Sequence, residues 1–243
     1  MIRLDQALVE RGLCESREKA KRAVLAGQVR VNSQLAHKPS DAVAPGDHII
    51  LEEGEKFVSR GGYKLEHGLE AFKLDVSGIV AVDIGASTGG FTDCLLQRGV
   101  KRVFSVDVGQ GQLAWKLRQD ARVVVMEKTN ARYLKPGQLP EPADLAVIDC
   151  SFISLRKILP PAVALLKTEG KIVALVKPQF EAGKAEADKG RGVIRDASIH
   201  ERILDELRQF VTEMDLNWRE TEESPLQGPA GNKEFLVLIE KKA

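Results

Sequence analysis

The sequence predicts an α/β protein whose larger part is a doubly wound, mostly parallel sheet, preceded by a smaller α+β module. Three observations carry that expectation. From residue 79 onward, short apolar runs alternate with stretches of helical periodicity, the pattern of strands joined by crossover helices. The first of these runs, Ile79–Ile84, contains an acid at Asp83 and leads into a turn holding Gly85, Ala86, Ser87, Gly89 and Gly90, after which Phe91 opens a helix-compatible stretch. Finally, residues 1–39 hold eight lysines and arginines against four acids, although the whole chain of 243 residues carries a net charge of only +1.

Composition bounds the answer. A hydrophobic fraction of 43% and a charged fraction of 29% are ordinary for a soluble globular chain of one large or two modest domains. No apolar run approaches the ~20 residues of a membrane helix, and the N-terminal MIRLDQALVERG lacks a signal-peptide core. Cys14, Cys94 and Cys150 are scattered, without a C-x-x-C spacing, and so are the four histidines. Neither a disulfide framework nor a metal site is expected, and a reducing cytoplasm is.

Taken in order, Ile2–Leu8 and Arg17–Ala26 read as helices, with Ser16 as N-cap of the second and Gly27 as its stop. Short strands follow, with turns at Asn32-Ser33 and Pro45-Gly46-Asp47. Two helices, a small β-unit and the basic residues Arg3, Arg17, Lys19, Lys21, Arg22 and Arg30 resemble the S-four-type (αL) RNA-binding domain. The carrying residues are RLDQALVERGLCESREKAKRAVLAGQVRVNS and PGDHI. Such a patch contributes phosphate contacts and counterion release. With aromatic residues at 5% of the chain, recognition of RNA shape is expected over stacking on unpaired bases. This module is expected over residues 1–55, with 56–62 as a linker and a second domain from 63 to 243.

In that second domain Tyr63–Phe72 reads as a helix, with Lys64 in a first turn whose dipole disfavours a cation. Strands are expected at Ile79–Ile84, Arg102–Val106, Arg122–Met126, Leu145–Ile148, Lys171–Val176 and Phe235–Ile239. Helices are expected near Thr92–Arg98, Trp115–Arg118, Ile153–Leu166 and Ala197–Met214. The charged segment Glu181–Asp196 reads either as a loop closing on RNA, with Lys184, Lys189, Arg191 and Arg195 on phosphates, or as a plain surface loop.

Ligands of such sheets bind beyond the carboxyl ends of the strands. The glycine spacing departs from the dinucleotide pattern G-x-G-x-x-G and is similar to the turn with which methyltransferases hold S-adenosylmethionine. Asp107, after the second strand, suits the ribose hydroxyls of an adenosine ligand, and Glu127 and Asn130 suit its base edge. The fourth strand leads to Asp149, the fifth to Lys177, and Glu234 opens the last.

The ordered set Lys64, Asp149, Lys177 and Glu234 resembles the Lys-Asp-Lys-Glu tetrad of the FtsJ/RrmJ-type ribose 2′-O-methyltransferases. Over its whole length the chain resembles the TlyA family, also labelled "hemolysin A", through RLDQALVERG, VSRGGYKL, DIGASTGGFTD, DCSFISL, VKPQFE and GNKEF. That resemblance implies a Rossmann-like, seven-stranded methyltransferase domain, S-adenosylmethionine as cofactor, and cytidine 2′-O-methylation of ribosomal RNA, free or in ribosomal subunits. Arg60 joins the RNA-facing set, and Lys177 is read either as the base that takes the hydroxyl proton or mainly as an orienter and electrostatic stabiliser. A lysine serves so only when neutral, and unperturbed it titrates near ~10.4. The residues alone imply only methyl transfer to an RNA-like acceptor. Three rivals stand beside this reading: a membrane-lytic toxin, a small-molecule methyltransferase, and a non-catalytic RNA-binding protein. DNA amino-methylation is disfavoured, because DCSF stands where a D/N-P-P-aromatic signature would be.

Overall fold

Two contact units divide the chain, Met1–Lys56 and Phe57–Ala243. The computed structural model describes residues 1–52, 54–183, 186, 188 and 190–242.

In the first unit, strand β1 (Ile2–Arg3) runs into helix α1 (Leu4–Glu10), followed by α2 (Arg17–Leu25) and strands β2 (Val29–Val31), β3 (Gln34–Leu35), β4 (Ala42–Val43) and β5 (Ile49–Leu51). The Ser16 hydroxyl accepts the Lys19 N–H at 3.3 Å, so the expected cap starts α2. The Asn32-Ser33 turn has φ of 49° and 69°, the left-handed geometry that suits a two-residue hairpin, and it joins β2 to β3. The first helix begins later than its periodicity suggests, because Ile2 and Arg3 pair with Val43 and Ala42. Leu4, Leu8, Val24, Val29 and Ile49 form the core.

The second unit begins with residues that were expected to link the domains. Phe57 is 1% exposed, packs edge-on against Tyr63 at 5.1 Å, and fills space that a side chain at Gly62 would occupy. After it come α3 (Gly61–Ala71), β6 (Val80–Ile84), α4 (Gly90–Gln97), β7 (Arg102–Val106), α5 (Trp115–Arg118), β8 (Val123–Met126), β9 (Ala143–Ile148), α6 (Leu159–Ala164), β10 (Leu166–Val176), α7 (Pro178–Glu181), α8 (Ala197–Glu213), β11 (Leu216–Glu223) and β12 (Phe235–Lys241).

The strands form one seven-stranded sheet in the order β11-β12-β10-β9-β6-β7-β8. Strand β12 alone is antiparallel, wedged between β10 and β11, and the remaining pairings are parallel. Continuous apolar runs such as VAVDI and LAVI are buried on both faces, as parallel strands between helical layers must be.

Two expectations need correction. The helix expected over Ile153–Leu166 is a short 3-10 turn at Leu155–Lys157 followed by α6, because Pro160 and Pro161 lack donors and fit only the first helical turn. Strand β11 carries no apolar alternation. Its sequence LNWRETEE suits a half-wet edge strand, where polar side chains are tolerated.

Candidate active site

The turn after β6 is held by backbone fit. Gly85 has φ 88°, and a Cβ there would lie 2.6 Å from the Asp149 carbonyl oxygen. Gly89, at φ 98°, is the N-cap of α4, and a Cβ there would strike Leu117. These two glycines therefore let the turn pack against its own protein, a reason distinct from close approach to a ligand. Asp149 lies against the turn because its N–H donates to the Ile84 carbonyl at 3.0 Å, prolonging the β6–β9 ladder by one bond.

Two cavities open at this carboxyl edge of the sheet. The smaller, about 470 Å³, is lined by Arg60, Lys64, Phe91, Asp149, Lys177 and Glu234, among others. The larger, about 920 Å³, lies over the ends of β7 and β9 and is bordered by Asp107, Asn130, Arg132, Phe152, Lys157 and Phe180. Gly85, Ser87, Asp149 and Ser151 border both, so the two spaces meet at the glycine turn.

The four expected catalytic residues come together as two ion pairs on the smaller cavity. Lys64 Nζ lies 2.5 Å from Glu234 Oε2, with side chains 7% and 1% exposed. The cost of a cation in the first turn of α3 is thus met by a carboxylate from the sheet. Glu234 fits because Gly228 has no side chain: a Cβ there would sit 2.5 Å from Glu234 Oε1. Lys177 Nζ lies 2.5 Å from Asp149 Oδ1 and donates to the Ser151 hydroxyl at 2.9 Å. This second pair is more open, at 11% and 23%.

Around the larger cavity, the Asp107 carboxylate accepts the N–H groups of Ser87 at 2.8 Å and Gly109 at 2.7 Å. Each oxygen carries further lone pairs, the acceptor set that a vicinal diol requires. Asn130 borders the same space and accepts the Arg132 N–H at 3.1 Å through its side-chain oxygen. An adenosine ligand fits this setting. The cavity is of ligand size, an acid stands at the β7 end where a ribose would lie, and a polar amide stands deeper along the wall.

Two expected contacts stand elsewhere. Asp83 borders neither cavity. It is wholly buried behind the turn, accepts the Thr92 hydroxyl at 2.6 Å, and leaves Oδ1 without a partner. Burial, with Asp149 and Asp107 nearby, pushes its pKa up to about 7. Glu127 pairs with Arg118 and accepts the Gly111 N–H at 2.9 Å, bracing the loop instead of facing the cleft. Cys150, next to Asp149, is pushed up to about 12 by burial and remains a thiol.

Sequence reasoning missed Ser151, Phe152, Arg132 and Phe180. Phe152 is 90% exposed at φ 64° and meets the Phe180 ring at 5.1 Å. The quoted DCSFISL contained two of these residues, but nothing in it separates a cavity wall from a loop.

On the first unit, Arg3 and Arg17 both bind the fully buried Asp5, at 3.0 and 3.1 Å. Lys19 pairs with Glu15, Lys21 with Glu18 at 3.0 Å, and Arg30 with Glu52 at 2.5 Å. The expected basic surface is therefore largely cross-linked to acids, while Arg22 stands exposed. Arg60 borders the smaller cavity and Arg191 is exposed, whereas Lys184 and Lys189 lie outside the described residues. Among the described residues no helix is long and apolar enough to cross a membrane, and no three metal-ligating side chains cluster.

A parallel sheet with one antiparallel strand, a glycine turn after β6 and an acid at the β7 end define a methyltransferase fold. Residues 57–241 match the model of the FtsJ-like methyltransferases, and residues 2–49 match that of the S4 domain. The chain belongs to the FtsJ-like methyltransferase family, in its TlyA-type branch that also carries an S4 domain. It is 44% identical to the 16S/23S rRNA (cytidine-2′-O)-methyltransferase TlyA of Mycobacterium tuberculosis, over 98% of this chain and 89% of that one. It is 40% identical to a Brachyspira hyodysenteriae protein named Hemolysin A, over 97% and 98%. A solved structure described as a candidate hemolysin, from Streptococcus thermophilus, superposes with a TM-score of 0.76 at 45% identity, over 99% of this chain and 88% of that chain.

Proposed function

We propose that this chain methylates a ribose 2′-hydroxyl of ribosomal RNA, with S-adenosylmethionine as donor and cytidine as the modified nucleoside. One observation carries the reading: two lysine–carboxylate pairs face a cavity that meets an adenosine-sized cavity at the glycine turn. The cytidine and the ribosomal acceptor come from the name of the Mycobacterium tuberculosis relative. Ribosomes and their RNA place the activity in the cytoplasm.

In this reading Asp107 and Asn130 hold the nucleoside of the cofactor, and the turn from Gly85 to Gly90 passes beside its amino-acid part. When bound, S-adenosylmethionine supplies an electrophilic methyl group on a sulfonium sulfur, which leaves as a neutral thioether. The chain's own work is to orient the acceptor hydroxyl in line with that methyl and to take its proton. Lys177 is the proton acceptor, with Asp149 holding its amine in place. Lys64, locked against Glu234, stabilises charge developing on the acceptor oxygen. Exposed cations, Arg60 and Lys157 at the cavities and Arg22 on the first unit, contact phosphates.

The test is radiolabelled methyl transfer onto purified 30S and 50S subunits, with mapping of alkali-resistant 2′-O-methyl positions. Label at a cytidine is the expected result, and absence of label on both subunits refutes the proposal. The name Hemolysin A belongs to a relative. Leakage of liposomes by purified protein, unaffected by Lys177→Ala, would favour a membrane activity instead.

A further inference from the structure

We infer that Ser151 is a positioning residue for methyl transfer, aiming the Lys177 amine at the acceptor hydroxyl. The inference rests on the functional reading above and deepens it. A neutral amine has two N–H donors and one lone pair. Lys177 Nζ has two oxygen neighbours in the structure, Asp149 Oδ1 at 2.5 Å and Ser151 Oγ at 2.9 Å. With one N–H held by Ser151 Oγ, and Asp149 Oδ1 close by as an ion-pair partner without hydrogen-bond geometry, the lone pair is left a direction away from both oxygens. The three residues border the smaller cavity together, so that direction is available to a ligand lying there. Asp149 holds the amine by charge and fixes no N–H direction. The Ser151 hydroxyl supplies the acceptor that restrains rotation about the Cε–Nζ bond.

The backbone explains why a serine stands there. Ser151 follows β9 by three residues, in a loop tied down on both sides. Before it, the Asp149 N–H bonds to Ile84. After it, Glu181 accepts both the Ser154 hydroxyl at 2.6 Å and the Leu155 N–H at 2.7 Å. Lys177 precedes the short helix α7 and Glu181 ends it, so the helix that follows the amine also braces the loop that supplies its acceptor. The hydroxyl therefore keeps its place relative to Nζ. In the transfer step the hydroxyl proton passes to Nζ as the new O–CH3 bond forms and the S–CH3 bond breaks, its electron pair remaining on sulfur. The resulting ammonium stays paired with Asp149 and donates to Ser151 and the newly made ether oxygen.

The experiment compares wild type, Ser151→Ala and Ser151→Thr in methyl transfer to ribosomal subunits, with cofactor affinity and melting temperature measured on each. Ser151→Ala is expected to lower kcat roughly 10- to 100-fold, the scale of one hydrogen bond to a charged group. Its cofactor Kd and melting temperature are expected to match wild type. Ser151→Thr, which retains the hydroxyl, is expected to recover most of the rate. If Ser151→Ala turns over like wild type, or loses only cofactor affinity, or if threonine fails to rescue a folded enzyme, the inference is wrong. A wild-type protein that labels neither subunit refutes the functional reading itself, and this inference with it.

Discussion

Each unit of the molecule buries one aspartate completely, and the two have opposite fates. Asp5, in the N-terminal unit, is bound by the guanidinium groups of Arg3 and Arg17, which hold its pKa down at about 2. Asp83, at the heart of the methyltransferase unit, has the Thr92 hydroxyl and no cation, and burial pushes it up to about 7. Neither carboxylate is exposed, but Asp5 lies against two half-exposed arginines while Asp83 lies deep in the core, so ion pairing lowers the one and desolvation raises the other. Cations also stand beside the two catalytic carboxylates. Glu234 is as buried as Asp83 yet has Lys64, and Asp149 has Lys177 at the open side of the cleft.

Changes that remove a partner test this rule most sharply. Lys177→Ala should lower methyl transfer by about 10²- to 10⁴-fold, the usual worth of a positioned proton acceptor. Cofactor binding, measured by calorimetry, should stay close to wild type, since the larger cavity is intact. Lys64→Ala leaves Glu234 as an uncompensated charge in the core and should cost about 3–5 kcal/mol of stability, read as a lower denaturation midpoint. Equal stability of the two lysine variants would break the distinction between a sealed pair and an open one.

Asp107→Ala acts more weakly, through the ribose. It should weaken cofactor binding roughly tenfold or somewhat more, as loss of hydrogen bonds to a charged group does, while kcat at saturating cofactor changes little.

The two buried aspartates predict opposite pH dependences. For Asp83 the folded pKa is raised, so the folded state holds the extra proton and stability declines as pH rises from 3.8 to about 7. Asp83→Asn should flatten that decline in denaturation profiles of the full chain. For Asp5 the folded pKa is depressed, so its contribution is present above 3.8 and is lost as pH falls toward about 2. Asp5→Asn should remove the acid-side loss only, and identical profiles for both variants would contradict the comparison.

Much of the fold was legible because it is written in local signals. Apolar runs marked six of the seven strands, Ser16 and Gly27 bounded a helix, and the Asp83–Gly90 turn announced itself by glycine spacing. What was not legible depends on partners far along the chain. Resemblance alone groups Lys64 with Glu234; the pairing of the two across 170 residues, which offsets the poor place of Lys64 on a helix dipole, has no local signal. The arginines of the first unit looked free for phosphate, yet Arg3 and Arg17 share Asp5, inside the same RLDQALVERG stretch that marked the module. Strand β11 was missed because a polar edge strand has no period-2 signal to read.

Strand β12 runs against its neighbours, so its first residues, not its last, lie at the edge where the parallel strands end. That reversal brings Glu234 to Lys64, and it also sets an order of events. During synthesis, the helix bearing Lys64 and the turn after β6 emerge long before the carboxylate that completes the site. Strand β11 lies at the sheet edge and pairs with β12, so the two add to β10 as an antiparallel pair. A chain halted before Glu234 has its glycine turn and lacks the carboxylate that pairs with Lys64. The Lys64–Glu234 pair is therefore made only after the glycine turn has emerged.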